Sequence, residues 1–270
     1  MLIYTSFIKL KDILIVFKME INLEKKKEIL SQKGWVIVED ALDVESEQLS
    51  DWVDHISVKP GKEAKRLHYY EKTNLSPSLC RIERFIEDHS ELKRLVSDGV
   101  VIETITGLFG EPVKLYKEKV NIKNPGGAGF RPHQDATAYE NLSQHITCLI
   151  AVDDMTPENG CLEFADSLPN KKLDQDSYGC IPQEIYEDFK WTEATLKRGS
   201  ILCFTALIPH RSGPNKTDLP RRAIYLTFNS AAEGDLRKKY YLERDQFLAK
   251  LQPQEKQIST IGHFEGEILN

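Results

Sequence analysis

The chain has 270 residues, 40% of them apolar and 29% charged, and a formal net charge of −6. That length holds one large domain or at most two, and the acidic balance excludes an extended basic nucleic-acid face. Cys80, Cys148, Cys161, Cys180 and Cys203 form no Cys-x-x-Cys pair, an odd and unpatterned set that suits reduced thiols in a cytoplasm.

Met1 to Lys18 is partly apolar, but Lys9, Lys11 and Asp12 break the run below bilayer-spanning length, and no signal-peptide pattern is evident. Residues 1–18 are expected to be a disordered extension or an over-called start, with Met19 the alternative beginning. Leu23 to Lys33 predicts a short charged helix stopped by Gly34, and Trp35 to Val38 a strand. Leu42 to Ile56 reads as a helix and Pro60 to Arg66 as a polar loop. Ser76 to Ile86 reads as a strand carrying Arg81. Glu91 to Ser97 and Gly99 to Phe109 read as helices, the second ended by Gly110.

Pro112 to Lys123 predicts a strand. Simple alternation puts Val113, Leu115, Lys117, Lys119 and Asn121 on one side, and Lys114, Tyr116, Glu118, Val120 and Ile122 on the other. Two readings are open for the lysines: a polar barrel interior, or a solvent-facing edge. His145 to Val152 and Ala223 to Phe228 read as strands, as does Ser200 to Phe204, which ends near Pro209-His210. Asp166 to Trp191 reads as a long insertion loop with a short helix near Gln183 to Phe189. Asp235 to Tyr241 and Glu243 to Leu251 look helical, and the tail beyond Pro253 is expected to be loose. Cys148 and Cys203 fall in apolar strand runs and are expected in the core.

The chemistry concentrates in Arg131-Pro132-His133-Gln134-Asp135, which follows the turn Asn124 to Gly129. On an extended strand His133 and Asp135 share a face, so an imidazole and a carboxylate converge. His-x-Asp is common by chance and says little alone. A third ligand from a distant strand would make the two-His, one-carboxylate set of non-haem Fe(II) oxygenases. His210 is the preferred third ligand over His145, because a polar turn and Arg221-Arg222 follow it. His55, His68, His89 and His263 have no metal-like neighbours and are expected on the surface or in loops. An arginine presents a planar fork suited to a carboxylate. Metal plus arginine therefore suits a co-substrate that chelates at one end and carries a carboxylate at the other, as 2-oxoglutarate does. Alternation places Arg222 on the opposite face from Arg221.

The pattern His133-Gln134-Asp135, then His210-Arg211-Ser212-Gly213-Pro214-Asn215, then Arg221 eleven residues after His210, resembles the phytanoyl-CoA dioxygenase superfamily of Fe(II)/2-oxoglutarate oxygenases. Pro157 to Glu163 is similar to that family's segment between the metal strands, and the resemblance covers about residues 30–245. It implies a mainly β, α+β fold: a double-stranded β-helix, or cupin-like jelly roll, with helices buttressing one sheet, as one domain over residues 19–270. It implies Fe(II) on His133, Asp135 and His210, with O2 as co-substrate. It also implies 2-oxoglutarate paired by Arg221 and touched by Asn121 and Lys119. Halogenating relatives lack the carboxylate, so Asp135 points to hydroxylation.

Within the superfamily the chain looks most like bacterial phosphonate hydroxylases acting on 2-aminoethylphosphonate or its trimethylammonio analogue. Lys117, Arg81, Arg131 and Arg211 are candidate cations for an anionic substrate, and Tyr139 a candidate for an ammonium group. The alternatives are a hydroxylase of another small polar or acyl substrate, or an idle jelly-roll binding protein. A small-molecule substrate is expected, with no nucleic acid, membrane or obligate protein partner.

Overall fold

Helix α1 spans residues 23–33 and stops at Gly34, whose φ of 79° is the left-handed conformation that ends a helix. A Cβ there would lie 2.8 Å from Leu168 and 2.9 Å from Ile208, so glycine also lets the turn pack down. The computed structural model describes residues 23–269 other than 40, 43, 74–76, 140 and 251–262. The expectation for residues 1–18 lies outside the described residues.

After β1 (Trp35–Val38) come α2 (Ser46–Ser57), β2 (Leu67–Lys72), β3 (Pro77–Glu83), α3 (Ser90–Ser97), α4 (Val100–Phe109), β4 (Val113–Lys123) and β5 (Phe130–His133). Then follow β6 (His145–Ala151), β7 (Leu162–Ala165), α5 (Gln183–Tyr186), β8 (Trp191–Ala194), β9 (Ile201–Thr205), β10 (His210–Ser212), β11 (Arg221–Ser230), α6 (Arg237–Lys250) and β12 (Ile268–Leu269). An eight-stranded sheet runs β1-β9-β6-β11-β4-β3-β2-β12, and a four-stranded sheet runs β5-β10-β7-β8. Every neighbouring pair is antiparallel.

Two-residue periodicity builds two cores from one sheet. On β6, Ile146, Cys148 and Ile150 join the cluster that contains Leu49 and Val53 of α2, Leu92 of α3 and Ile105 of α4. Leu149 and Ala151, their alternates, join the cluster with Leu162 and Phe164 of the small sheet. The large sheet is therefore apolar on both faces in its centre. Helices cover one face and the small sheet covers the other, as a jelly roll requires. All five cysteines are buried, and none is in a disulfide bond. Among the described residues, no helix is long and apolar enough to cross a membrane.

Several expectations need correction. β2 gives no clear alternation and was not anticipated. The expected pair of C-terminal helices is one, α6. The strand before His210 ends at Thr205, and His210 opens a separate strand in the other sheet. β4 does not alternate throughout. The β11–β4 register slips where Thr227 faces Lys117 and Phe228 faces Leu115, leaving Tyr116 as the extra residue. Val113 and Leu115 consequently turn to the helix-side core, while Tyr116 and Lys117 both line a cavity. The tail is not loose throughout: residues 263–269 return, and β12 pairs with β2.

Candidate active site

β5 and β10 are neighbours in the small sheet, with His133 paired directly to His210. The imidazole centroids are 4.2 Å apart. Asp135 lies just past the end of β5, at the start of a 3-10 turn rather than on the strand as expected. Its Oδ1 is 3.9 Å from Nε2 of His133 and 3.9 Å from Nε2 of His210. These three buried residues form the one group of potential metal ligands among the described residues. His145, the rival, stands outside that group with its ring edge-on to Tyr139 at 5.2 Å.

Backbone carbonyls decide which imidazole nitrogen is free. His133 Nδ1 is 2.7 Å from the Arg131 carbonyl oxygen, and His210 Nδ1 is 3.1 Å from that of Ile208. A carbonyl only accepts, so each Nδ1 carries the proton and each Nε2 presents a lone pair. Both lone pairs lie on the Asp135 side. The Thr147 hydroxyl donates to Asp135 Oδ2 at 2.9 Å and so orients the carboxylate. Burial pushes the His133 imidazole down to about 3, with His210 reinforcing the shift, and burial likewise lowers His210. Burial alone would raise the Asp135 carboxyl, but His210, Lys119 and His133 outweigh it and hold it well below the usual range. Two neutral imidazoles and a carboxylate are the protonation states a divalent cation needs. Iron fits this donor set, with open positions left over.

Arg221 opens β11 and is 1% exposed. Its Nη2 donates to the Gly160 carbonyl at 2.9 Å, while Nε and Nη1 have no partner among the described residues. Two buried, unmatched donors on a cation are costly unless an anion meets them. The loops around Arg221 explain the rest of the motif. Asn215 Nδ2 donates to the carbonyls of Lys123 and Leu219 at 2.8 Å each, and its Oδ1 accepts from Thr217, folding the turn that delivers Arg221. Lys123 Nζ donates to Ser212 Oγ at 2.8 Å and to the Gly213 carbonyl. Gly160, with φ 75°, admits Gly213, since a Cβ there would collide with the Gly213 carbonyl oxygen. Gln134, the middle of His-x-Asp, is fully buried and accepts from the Leu173 amide at 2.7 Å, pinning the insertion loop.

A cavity of about 350 Å³ opens beside Asp135. Its wall includes Arg81, Glu83, Lys117, Lys119, Tyr139 and Arg244. The β-register brings them together: Glu83 faces Lys119 and Arg81 faces Asn121 across β3–β4. Arg81 Nε donates to Asn121 Oδ1 at 3.0 Å. Glu83 takes Lys117 at 3.1 Å and Arg81 at 3.4 Å. Lys119 Nζ sits 5.2 Å from the centroid of Tyr225, and burial, aided by Arg81, pushes it down to about 7. Lys117 and Lys119 thus line a polar interior rather than an exposed edge.

Two expected cations lie elsewhere. Arg131 pairs with Asp176 at 3.3 Å and lies over Tyr178, so it holds the insertion loop and is not on the cavity wall. Arg211 pairs with Glu163 at 2.8 Å and stacks on Trp191 at 4.3 Å. Arg222 points to the other face, where it meets Asp153 and Asp54.

Sequence reasoning missed Thr147, Tyr225, Glu83, Tyr116, Tyr240, Arg244 and His263. Tyr225 and Thr147 could have been found by alternation within their strands; the others depend on long-range pairing or a bulge. His263 is a clear correction, because its ring stacks on His133 at 3.7 Å and 13°. His89 is buried, and its ring accepts from the Leu92 amide to cap α3.

The phytanoyl-CoA dioxygenase family model matches residues 30–223. The chain is 40% identical over 242 residues to the methylphosphonate hydroxylase of Gimesia maris, covering 88% of this chain and 93% of that one. It is 31% identical over 229 residues to a 2-aminoethylphosphonate dioxygenase from an uncultured bacterium, covering 83% and 86%. Among solved structures, EctD from S. alaskensis with 2-oxoglutarate and 5-hydroxyectoine aligns with a TM-score of 0.64 at 18% identity, over 77% of this chain and 76% of that one. The epimerase SnoN with Fe3+, α-ketoglutarate and nogalamycin RO aligns with a TM-score of 0.63 at 20% identity, over 78% and 84%. At these identities the structures attest the shared fold.

Proposed function

Because the chain belongs to the phytanoyl-CoA dioxygenase family, we propose that it hydroxylates a small organophosphonate at the cavity beside Asp135. It is a dioxygenase whose cofactor is Fe(II) and whose co-substrates are 2-oxoglutarate and O2. Substrate C–H, 2-oxoglutarate and O2 become C–OH, succinate and CO2.

In this reading His133, Asp135 and His210 hold iron through Nε2, Oδ1 and Nε2, the atoms left free by the backbone carbonyls and by Thr147. Iron in such a set supplies the centre at which 2-oxoglutarate and O2 react to oxidise the substrate. Arg221 takes the distal carboxylate of 2-oxoglutarate on its unmatched Nε and Nη1. Lys119, 5.2 Å from the Tyr225 ring, and Asn121, which also interacts with Tyr225, flank the co-substrate in this reading. Burial of the triad excludes bulk water and keeps both imidazoles neutral.

One observation supports a phosphonate above other small molecules. The cavity wall carries Arg81, Lys117, Lys119 and Arg244, while Glu83 is already engaged by Lys117 and Arg81. Arg81 Nη2 and Arg244 Nε are buried donors without a partner among the described residues. A compact anion with three acceptor oxygens answers that surplus of donors. Methylphosphonate and 2-aminoethylphosphonate, the substrates in the relatives' names, both carry such a head. Tyr139 and Tyr240, with ring centroids 5.9 and 5.2 Å from Lys117 Nζ, shape the wall beside that cation.

The test is succinate release by the Fe(II) enzyme with 2-oxoglutarate and O2, across methylphosphonate, 2-aminoethylphosphonate and matched carboxylates and sulfonates. A phosphonate should stimulate succinate strongly and give a new hydroxylated phosphorus-31 resonance. Stimulation by carboxylates or sulfonates with phosphonates inert would overturn the substrate assignment.

A further inference from the structure

Residues 263–269 come back to the rim of the cavity and are fixed there between β2 and the segment Gly129–Arg131. The Arg131 amide donates to the His263 carbonyl at 2.8 Å, and the Glu265 amide to that of Gly129 at 3.1 Å. The Lys72 amide donates to the Glu267 carbonyl at 2.8 Å, where β12 adds to β2. Phe264 forms a bridge to Phe130, their rings 5.0 Å apart. This anchoring leaves the His263 imidazole little choice of position. It lies parallel to the His133 ring at 3.7 Å, on the wall of the cavity that holds Arg81, Lys117, Lys119 and Asp135.

The ring's polar edge is unused. Neither nitrogen of His263 has a hydrogen-bond partner among the described residues, although its own carbonyl and the amide of Glu265 are pinned. A packing residue for His133 would need only a flat ring, and phenylalanine would serve. An imidazole so held, open to a cavity rich in cations, has a further capacity: an N–H directed at an acceptor in that cavity.

We propose that His263 is a substrate-binding residue, its N–H donating to an oxygen of the substrate's anionic head while its ring face packs on His133. The C-terminal segment is then part of the active-site wall and a determinant of substrate affinity. This rests on the organophosphonate reading for the identity of the head group, but the residue's role requires only an anion.

The experiment is calorimetric titration of the full chain loaded with Mn(II) and 2-oxoglutarate, without O2. The probes are methylphosphonate, 2-aminoethylphosphonate, methanesulfonate and acetate, against wild type, His263→Phe and His263→Asn. Phenylalanine keeps the stack and removes the donor; asparagine keeps a donor and removes the stack. The expected result is a loss of affinity of about tenfold or more in His263→Phe, the worth of a hydrogen bond to a charged group. His263→Asn should regain part of it, with Mn(II) and 2-oxoglutarate affinities unchanged in both. Equal phosphonate affinity in wild type and His263→Phe overturns the role of His263 and leaves the phosphonate reading standing. Binding of only the sulfonate or acetate, weakened by His263→Phe, sustains His263 and sinks the phosphonate. A wild type that binds none of the anions overturns both.

Discussion

Thr147 and Asp135 are joined by a 2.9 Å hydrogen bond from the hydroxyl on β6 to Oδ2, and that bond singles out Oδ1 as the atom equidistant from the two free imidazole nitrogens. The carboxylate is thereby aimed before any metal arrives. Thr147→Val removes the donor at nearly constant volume and lets the carboxylate rotate. Affinity for Fe(II), or for Co(II) as a spectroscopic substitute, should fall about 10- to 100-fold, the usual cost of losing such a partner. Thr147→Ser should bind nearly as wild type. Wild-type affinity in the valine variant would mean that the turn at Asp135 orients the acid unaided.

Arg221 should act on the co-substrate rather than on the metal. Its Nε and Nη1 are buried without partners, while Nη2 is held by Gly160. Arg221→Ala should raise the KM for 2-oxoglutarate about 10- to 150-fold, from a charge-assisted bond worth about 1.5–3 kcal/mol. Arg221→Lys keeps the charge but not the fork, so it should fall between the two. Steady-state succinate formation against 2-oxoglutarate concentration checks this. An unchanged KM would give the guanidinium another ligand.

Its neighbour Arg222 makes the opposite prediction. Its guanidinium meets Asp153 at 2.7 and 2.8 Å, Asp54 at 2.6 Å and Ser50 at 2.8 Å. It ties α2 to the rim of the large sheet and does not line the cavity. Arg222→Ala should lower the melting temperature by a few degrees, from a partly buried network worth about 1–3 kcal/mol, with kcat/KM held within about twofold of wild type. A large fall in kcat/KM at unchanged stability would contradict the division of labour between the two arginines.

The two arginines also show what the sequence made legible. Strict alternation over a regular strand separates Arg221 from Arg222 without coordinates, because side chains two apart share a face. The same rule applied to β4 succeeds for Lys117, Lys119 and Asn121 and fails at Tyr116, where the bulge opposite Phe228 inverts the pattern. A bulge depends on the partner strand and leaves no mark in the local sequence. His133, Asp135, His210 and Arg221 were findable because their side-chain types and spacing are those the proposed metal and co-substrate would require. Glu83, Arg244 and His263 were not: Glu83 reaches the cavity only through the pairing of β3 with β4, and Arg244 and His263 come from near the far end of the chain. Arg131 was misplaced for a related reason: the strand that carries it also borders the insertion loop, and Asp176 claims its charge.

Glu83 gives the fold a defined acid sensitivity. Burial alone would raise its carboxyl, but Lys117, then Arg81 and Arg244, outweigh burial and hold it down to about 2, against an ordinary 4.5. A carboxyl depressed by folding stabilises the native state fully above its unfolded pKa, and the contribution is lost as pH falls through the folded one. The window therefore runs from about pH 4.5 down to about pH 2. Glu83→Gln removes the charge at every pH and leaves Lys117 and Arg81 without their shared counter-ion, so it should melt well below wild type at pH 7. Lowering the pH should bring the two melting curves together across that window, because wild-type Glu83 becomes neutral as well. A gap that stayed constant from pH 6 to pH 2 would show that the variant's loss does not come from the charge on Glu83.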